Sequence, residues 1–439
     1  MINLDKFLDH CITFSILMYF ITFLFSETTG YTFTRIAFIL GLIKILKYNT
    51  INFNWSFFKK YLIPIMVFGG ILFLSLVIHG LEYPSVSQYE RLVKSMIPFF
   101  TILLFVSNKK HIYLMISFLF FSMLINDFYS LYDYFINHID RTSGIDMGLL
   151  YFAGILLLQL PIILVTFINK NLTNYKRIFV VITLFITLLT LYTNGSRMTW
   201  FICIIDILII ISIYMKSWWK KLCLLLGLII CLLTAYTFNA NINTKINNLF
   251  DCNNISTRGH YFYLRDGFNL FLENKFIGVG LDNFKNAMID TNTLSDESIN
   301  NLKQDLHAKI NGQYVMPHAH NDIVMFLSEI GILGAAIYIY MFGSILIYTF
   351  KNWYMNKDFF GLAIFLMTVN ILLRGLSDYN IANLGVISIY FSLFSLYLRY
   401  IYIQKPINKK IINKKYILLL YSTVLFIILL RIISKHLFN

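Results

Sequence analysis

Apolar runs long enough to cross a bilayer recur along the whole of this 439-residue chain, and that repetition decides what it can fold into. They begin near Phe7, Tyr31, Tyr61, Leu92, Ile112, Gly148, Ile178, Met198, Leu222, Asp322, Phe359, Ile381 and Tyr416. Most hold about 17–25 residues, enough for a helix to traverse roughly 30 Å of hydrocarbon. Lipid cannot satisfy an unpaired backbone amide, so each run must be a helix. With 58% hydrophobic and only 13% charged residues, a soluble fold would expose a very large apolar surface. The expected class is an all-α polytopic membrane protein of about 12–13 transmembrane helices. The run at Leu92 is short, and the one at Tyr416 could also lie along the surface. The first run is too long for a cleavable signal and no small-x-small site follows it.

Basic residues set the expected orientation. Alternate loops carry Lys44, Lys47, Lys59 and Lys60, then Lys109 and Lys110, then Lys170, Lys176 and Arg177, then Lys216, Lys220 and Lys221. The intervening short loops hold Glu27, Glu82, Asp140, Asp146 and Asp378 with isolated arginines. The lysine-rich loops, and the N-terminus with them, are therefore expected in the cytoplasm. The net charge of +14 is mostly this topology signal. Lysines spread over many short loops do not make a nucleic-acid surface. Cys11, Cys203, Cys223 and Cys231 fall inside expected helices, so no disulfide framework is implied.

Three regions follow: an N-terminal bundle of about nine helices over 1–238, a polar loop over 239–317, and C-terminal helices over 318–439. By parity the loop is extracytoplasmic, and it reads as a small helical cap. Its "TRGHYFYLRDGFNLFLENKF" has near-helical apolar spacing, ended by the glycines of "GVG" at Gly278 and Gly280.

Four polar blocks fall on that same side: "NGSR" with Arg197, "STRGHYFYLRDG" with Arg258 and Arg265, "PHAHND", and "RGLSDYN" with Arg374 and Asp378. A planar, permanently charged guanidinium suits phosphate oxygens, which it can grip through two N–H groups. In "PHAHND", His318, His320 and Asn321 sit where an apolar helix begins. A helix start presents free N–H groups and partial positive charge, and a neutral imidazole there can take a proton from a hydroxyl. A base beside an anion site at headgroup depth suits attack on a carbon whose leaving group is a lipid phosphate. Plainer readings stand beside this one. His320 could simply cap the helix, Arg197 and Arg258 could anchor the interface, and Arg265, Arg374 and Asp378 could be a structural ion pair or gating elements. Zinc on His318, His320 and Asp322 is a weaker reading, because such tight spacing rarely closes a site. Glu329 lies about 13 Å along the helix from His320 and cannot orient it. Gly331 and Gly334 are expected to permit close helix contact.

At these residues the chain resembles the O-antigen ligase and polymerase superfamily of bacterial membrane glycosyltransferases. "NGSRMTW" resembles its small-Ser-Arg-x-x-Trp block, "STRGHYFYLRDGFNLFLENKFIGVGLDNF" its arginine helix and GVG block, and "HAHNDIVMFLSEIGILG" its His-Asn helix start. Order, spacing and topology agree over roughly Tyr192 to Tyr340. The chain departs in having "NKF" where a His-Pro pair is common, and Tyr and Phe after Arg258 where Trp is frequent.

The resemblance implies a GT-C-like fold and inverting glycosyl transfer with no metal or other cofactor. It implies a donor glycan on undecaprenyl pyrophosphate, with lipid A-core (for a ligase) or another lipid-linked glycan (for a polymerase) as acceptor. The setting would be the periplasmic face of the bacterial inner membrane, in contact with membrane lipids. His320 would be the general base, with Arg197 and Arg258 at the pyrophosphate. Arg265, His318, Asn321, Arg374 and Asp378 would contact substrate. A transporter, with its polar site at mid-membrane in repeated halves, fits less well.

Overall fold

The computed structural model describes residues 4–48, 53–169, 172–219, 255–290, 318–380 and 383–404, with a few short pieces between them. Eight helices open the chain: α1 (Leu4–Thr22), α2 (Glu27–Tyr48), α3 (Trp55–Ile78), α4 (Tyr83–Phe105), α5 (Lys109–Phe135), α6 (Leu149–Phe167), α7 (Asn174–Asn194) and α8 (Arg197–Tyr214). The loop region supplies α9 (Ile255–Glu273), α10 (Phe284–Asp290) and a two-stranded antiparallel pair, β1 (Lys309–Ile310) with β2 (Gln313–Tyr314). The chain then forms α11 (Asp322–Asn356), α12 (Phe359–Arg374) and α13 (Leu384–Gln404).

The protein is thus the expected all-α polytopic membrane protein. Among the described residues, eight helices are long and apolar enough to span. The expected spans at Leu222 and Tyr416 lie largely outside the described residues. The span expected at Leu92 proves to be the C-terminal part of α4, which begins at Tyr83 with Pro84 in its first turn. Glu90, Arg91 and Lys94 had masked its length by lowering the local hydropathy. A Glu90–Lys94 ion pair one turn apart offsets those charges. Helices α6 and α13 run through the middle of the bundle, buried along most of their length.

The turns α5–α6 and α7–α8 meet at one end, where the Thr142 amide donates to the Thr193 carbonyl at 3.2 Å. The loop region joins them there. His79 at the end of α3 bonds the Gly278 carbonyl at 3.1 Å, and Asn283 donates to Glu82 before α4. The α12–α13 turn closes the same end, because the Asp322 amide donates to the Gly375 carbonyl at 2.7 Å. All four polar blocks of the sequence therefore share one end of the bundle.

Below that end α11 is broken. Gly331 has φ 73° and ψ −168°, a region open essentially to glycine alone. The break turns the Ser328 and Glu329 carbonyls away from the helix axis. They accept instead from the Val279 and Gly280 amides at 2.9 and 2.8 Å, while the Ile332 amide donates to the Lys275 carbonyl at 3.0 Å. The GVG block therefore lies edge-on against the broken helix. A Cβ on Gly331 would run into the Phe276 carbonyl, and one on Gly278 into Glu329. This corrects the expectation for Gly331 and Gly334. Gly331 supplies a hinge in the backbone, and Gly334 makes room for the Ile330 side chain of its own helix. Gly331→Ala should cost about 1–3 kcal/mol in backbone strain alone. That loss is read as a lower thermal midpoint of the purified protein. A midpoint equal to that of the wild type would mean the break relaxes into a straight helix at little cost.

Candidate active site at the broken-helix end

The site grows from three local structures. In the first, Gly195 takes the left-handed conformation (φ 67°) that ends α7, and α8 restarts at Arg197. The Trp200 indole donates to the Leu191 carbonyl at 2.7 Å across this corner. The buried Asn194 amide reaches the Thr142 and Leu149 carbonyls. The corner is rigid, and it leaves Arg197 partly exposed at the first position of α8. Arg141 joins it, its Nε directed at the Asn194 carbonyl (3.4 Å) and its charge within reach of Arg197.

In the second, Asn321 caps α11, its side-chain oxygen accepting from the Val324 amide at 3.0 Å while its NH₂ donates to the Leu376 carbonyl. Asp322, buried at 1% exposure, accepts from Tyr338 Oη at 2.6 Å and from the Asn380 amide and side chain at 2.7 and 2.8 Å. Asn321 and Asp322 thereby clamp the start of α11 to the α12–α13 turn. His320, just before the clamp, is held at φ 50°, uncommon for a residue with a Cβ. Its amide donates to His318 Nδ1 at 3.3 Å, which makes Nδ1 the acceptor of that ring.

In the third, α9 presents one face to this loop. A Cβ on Gly267 would touch Val324 and Ala319, and Ser328 Oγ donates to the Gly267 carbonyl at 2.7 Å. The same face carries His260 and Tyr263. The His320 ring stacks on Tyr263 (centroids 5.4 Å apart, 16° between planes) and meets His260 edge to face at 4.9 Å and His318 at 4.0 Å. The result is a cluster of three imidazoles.

The cluster is electrically tense. Burial, then the neighbouring His318 and His260 rings, push His320 down to about 3. Burial also lowers His318, with Asp378 pulling the other way. His260 is lowered by desolvation and by the Arg197 charge, and raised by Asp378. These shifts favour the neutral form of all three rings near pH 7.

Sequence reasoning thus named His318, His320, Asn321, Arg197 and Asp378 in or beside this cluster. It missed His260 and Arg141. Neither stood out because a histidine inside an amphipathic helix and a lone loop arginine carry no spacing signal. Other expected residues lie differently. Arg374 is 4% exposed and turned inward, donating at 2.9 Å to both the Leu150 carbonyl and Asp378. Arg265 pairs with Asp266 at 3.1 Å and lies over the Phe262 ring. Arg258 lies in the first turn of α9. Among the described residues no group of histidine, cysteine and carboxylate side chains is arranged to hold a metal ion. Glu329 is buried where α11 lies against the GVG block and the start of α10.

Beneath the Asp322 clamp lies an apolar cavity of about 270 Å³ between α3, α4, α11 and α13, lined by Phe68, Tyr89, Met96, Phe342 and Phe391 with Asn380 among its few polar groups. A comparison with curated proteins finds no match. Residues 182–339, from α7 into α11, match the family described as O-antigen ligase, and that segment, which holds His260, Tyr263, His318 and His320, supports a likeness to the O-antigen ligase-like superfamily.

Proposed function

We propose that the protein is an O-antigen ligase: an inverting glycosyltransferase that moves a glycan from undecaprenyl pyrophosphate onto lipid A-core at the periplasmic face of the inner membrane. The observation that carries this reading is the neutral His320, ringed by His260, His318 and Tyr263, with Arg197 in electrostatic reach of the same cluster. A hydroxyl of the acceptor gives its proton to His320 as its oxygen attacks the anomeric carbon. The carbon–oxygen bond to pyrophosphate breaks on the opposite side, and the electron pair leaves with the phosphate. Arg197, supported by Arg141, meets the charge that develops there. Arg258 contributes the second grip on the pyrophosphate. The apolar cavity under the clamp accommodates the first isoprene units of the carrier. Asp322 and Asn321 act by holding His320 in place.

His320→Ala should lower transfer by about 10²-fold or more while leaving donor binding intact. Arg197→Ala and Arg258→Ala should weaken donor binding as well as turnover, since a phosphate contact exists before and during bond cleavage. Lysine should not restore either fully, because a point charge lacks the two-pronged grip. The measurements are binding of a lipid pyrophosphate and single-turnover transfer for each variant, after a check of membrane insertion. Normal transfer by His320→Ala would make that histidine a helix cap. Unchanged binding in Arg258→Ala would move the phosphate grip to the His260 face of α9. Offering lipid A-core and a second lipid-linked glycan side by side separates ligase from polymerase: lengthening on the carrier instead of transfer to lipid A-core overturns the ligase reading.

The base and guanidinium groups need no metal, so transfer should be unaffected by EDTA. Activity lost in chelator and restored by one divalent ion would overturn that chemistry.

A further inference from the structure

The sequence blocks assign no role to His260, yet its position is unlike that of a packing residue. It stands on α9 beside His320 and within electrostatic reach of Arg197, two groups the proposed reaction uses. Its ring meets His320 edge to face at 4.9 Å, and Arg197 on α8 acts on it electrostatically. Unlike the other two histidines of the cluster, it remains exposed to solvent. The charged and titratable groups around it come from every neighbouring element. Arg197 faces it from α8, with Arg141 behind; His318 and His320 face it from the loop before α11; Asp378, itself bonded to Arg374, faces it from the α12–α13 turn. Tyr263 and Arg258 share its helix.

We propose that His260 is a phosphate-binding residue that takes up a proton when the pyrophosphate donor binds, becoming a cation of the donor site beside Arg197. The proposal rests on the function proposed above and names a contact that the sequence blocks do not contain. The physical reason lies in the sign of its neighbours. Partial desolvation, and after it the Arg197 charge, favour the neutral form of His260. A pyrophosphate seated on Arg197 cancels that repulsion and adds negative charge of its own, so the imidazolium becomes favourable. By linkage, the same free energy tightens donor binding wherever the proton is taken up. The sign follows. The bound-state value lies above the free-state value, so affinity is greatest below the free-state value and falls as pH rises through the bound-state value.

The test uses the purified full-length protein and farnesyl-pyrophosphoryl-N-acetylglucosamine, a diester whose phosphates do not titrate near neutrality. Calorimetry between about pH 5.5 and 8.5, the range in which histidine titrates, is run in buffers of different ionisation heat. Wild type should bind with proton uptake, its Kd weakening with rising pH by up to about tenfold per unit. His260→Gln should bind with no proton uptake, at a flat Kd near the wild-type alkaline value. His260→Asn serves as the second variant, and the thermal midpoint of each is measured first. A flat wild-type profile, or a slope that survives in both variants, overturns the role of His260 and leaves the donor site standing. If wild type fails to bind at every pH, the donor site falls and this inference falls with it. Arg197→Gln separates the two, because it should weaken binding at every pH.

Discussion

At membrane depth a backbone amide without a partner costs several kcal/mol, so a helix can break there only where protein supplies what the helix gave up. The rest of this site depends on one such exchange. Gly331 opens α11, and the Val279 and Gly280 amides take over the Ser328 and Glu329 carbonyls. The loop region is thereby bonded into the bundle. With it come α9, through the Gly267 carbonyl and Ser328, and the start of α10, through the Asn283 amide on the Gly280 carbonyl. Without the break, the chain that carries His260 would have no backbone contact with the helix that follows His320. The three glycines Gly278, Gly280 and Gly331 all have positive φ, and the two segments approach too closely for a Cβ on Gly278 or Gly331.

Much of this was legible beforehand, for identifiable reasons. Length and hydropathy fix where helices must be, because lipid leaves no other option, and the lysine pattern orders the loops into two sets. The shared end of the four polar blocks follows from counting spans. What spacing cannot supply is the face a helix turns toward a neighbour from a distant part of the chain. Periodicity puts His260 and Tyr263 on one face of α9, but only tertiary packing shows that this face meets His320. Arg374 was read for its charge, and the fold turns it inward onto Leu150 and Asp378. Asp322 looked like one more polar group of the block and is instead its anchor.

The bundle also holds carboxyls that hydropathy passed over. Asp127 on α5 accepts from Gln159 and Thr187, and Asp206 on α8 accepts from Asn370, which also donates to the Leu157 carbonyl of α6. Ionisable groups in spans are expensive unless they face partners inside the protein. These partners come from α6, α7 and α12, and they link α5 and α8 to the central α6. A single acid in an otherwise apolar run barely alters its average, so the sequence conceals both.

The chemistry of the cluster raises a question of strength. A base works best when its pKa lies near the working pH, and His320 is pushed down to about 3. The causes of that depression are burial and two neighbouring imidazoles, and all of them penalise a lone positive charge. Bond cleavage does not create a lone charge. In the reaction proposed above, an electron pair reaches the pyrophosphate as the hydroxyl proton reaches His320, so a cation and an anion appear together. In a partly desolvated pocket their attraction is far greater than in water, and it favours the protonated imidazole only while the anion is present. On that proposal, the same crowding that makes His320 a weak base on its own restricts its basicity to the moment of transfer. A hydroxyl that enters without a donor in place meets a neutral ring with little pull on its proton.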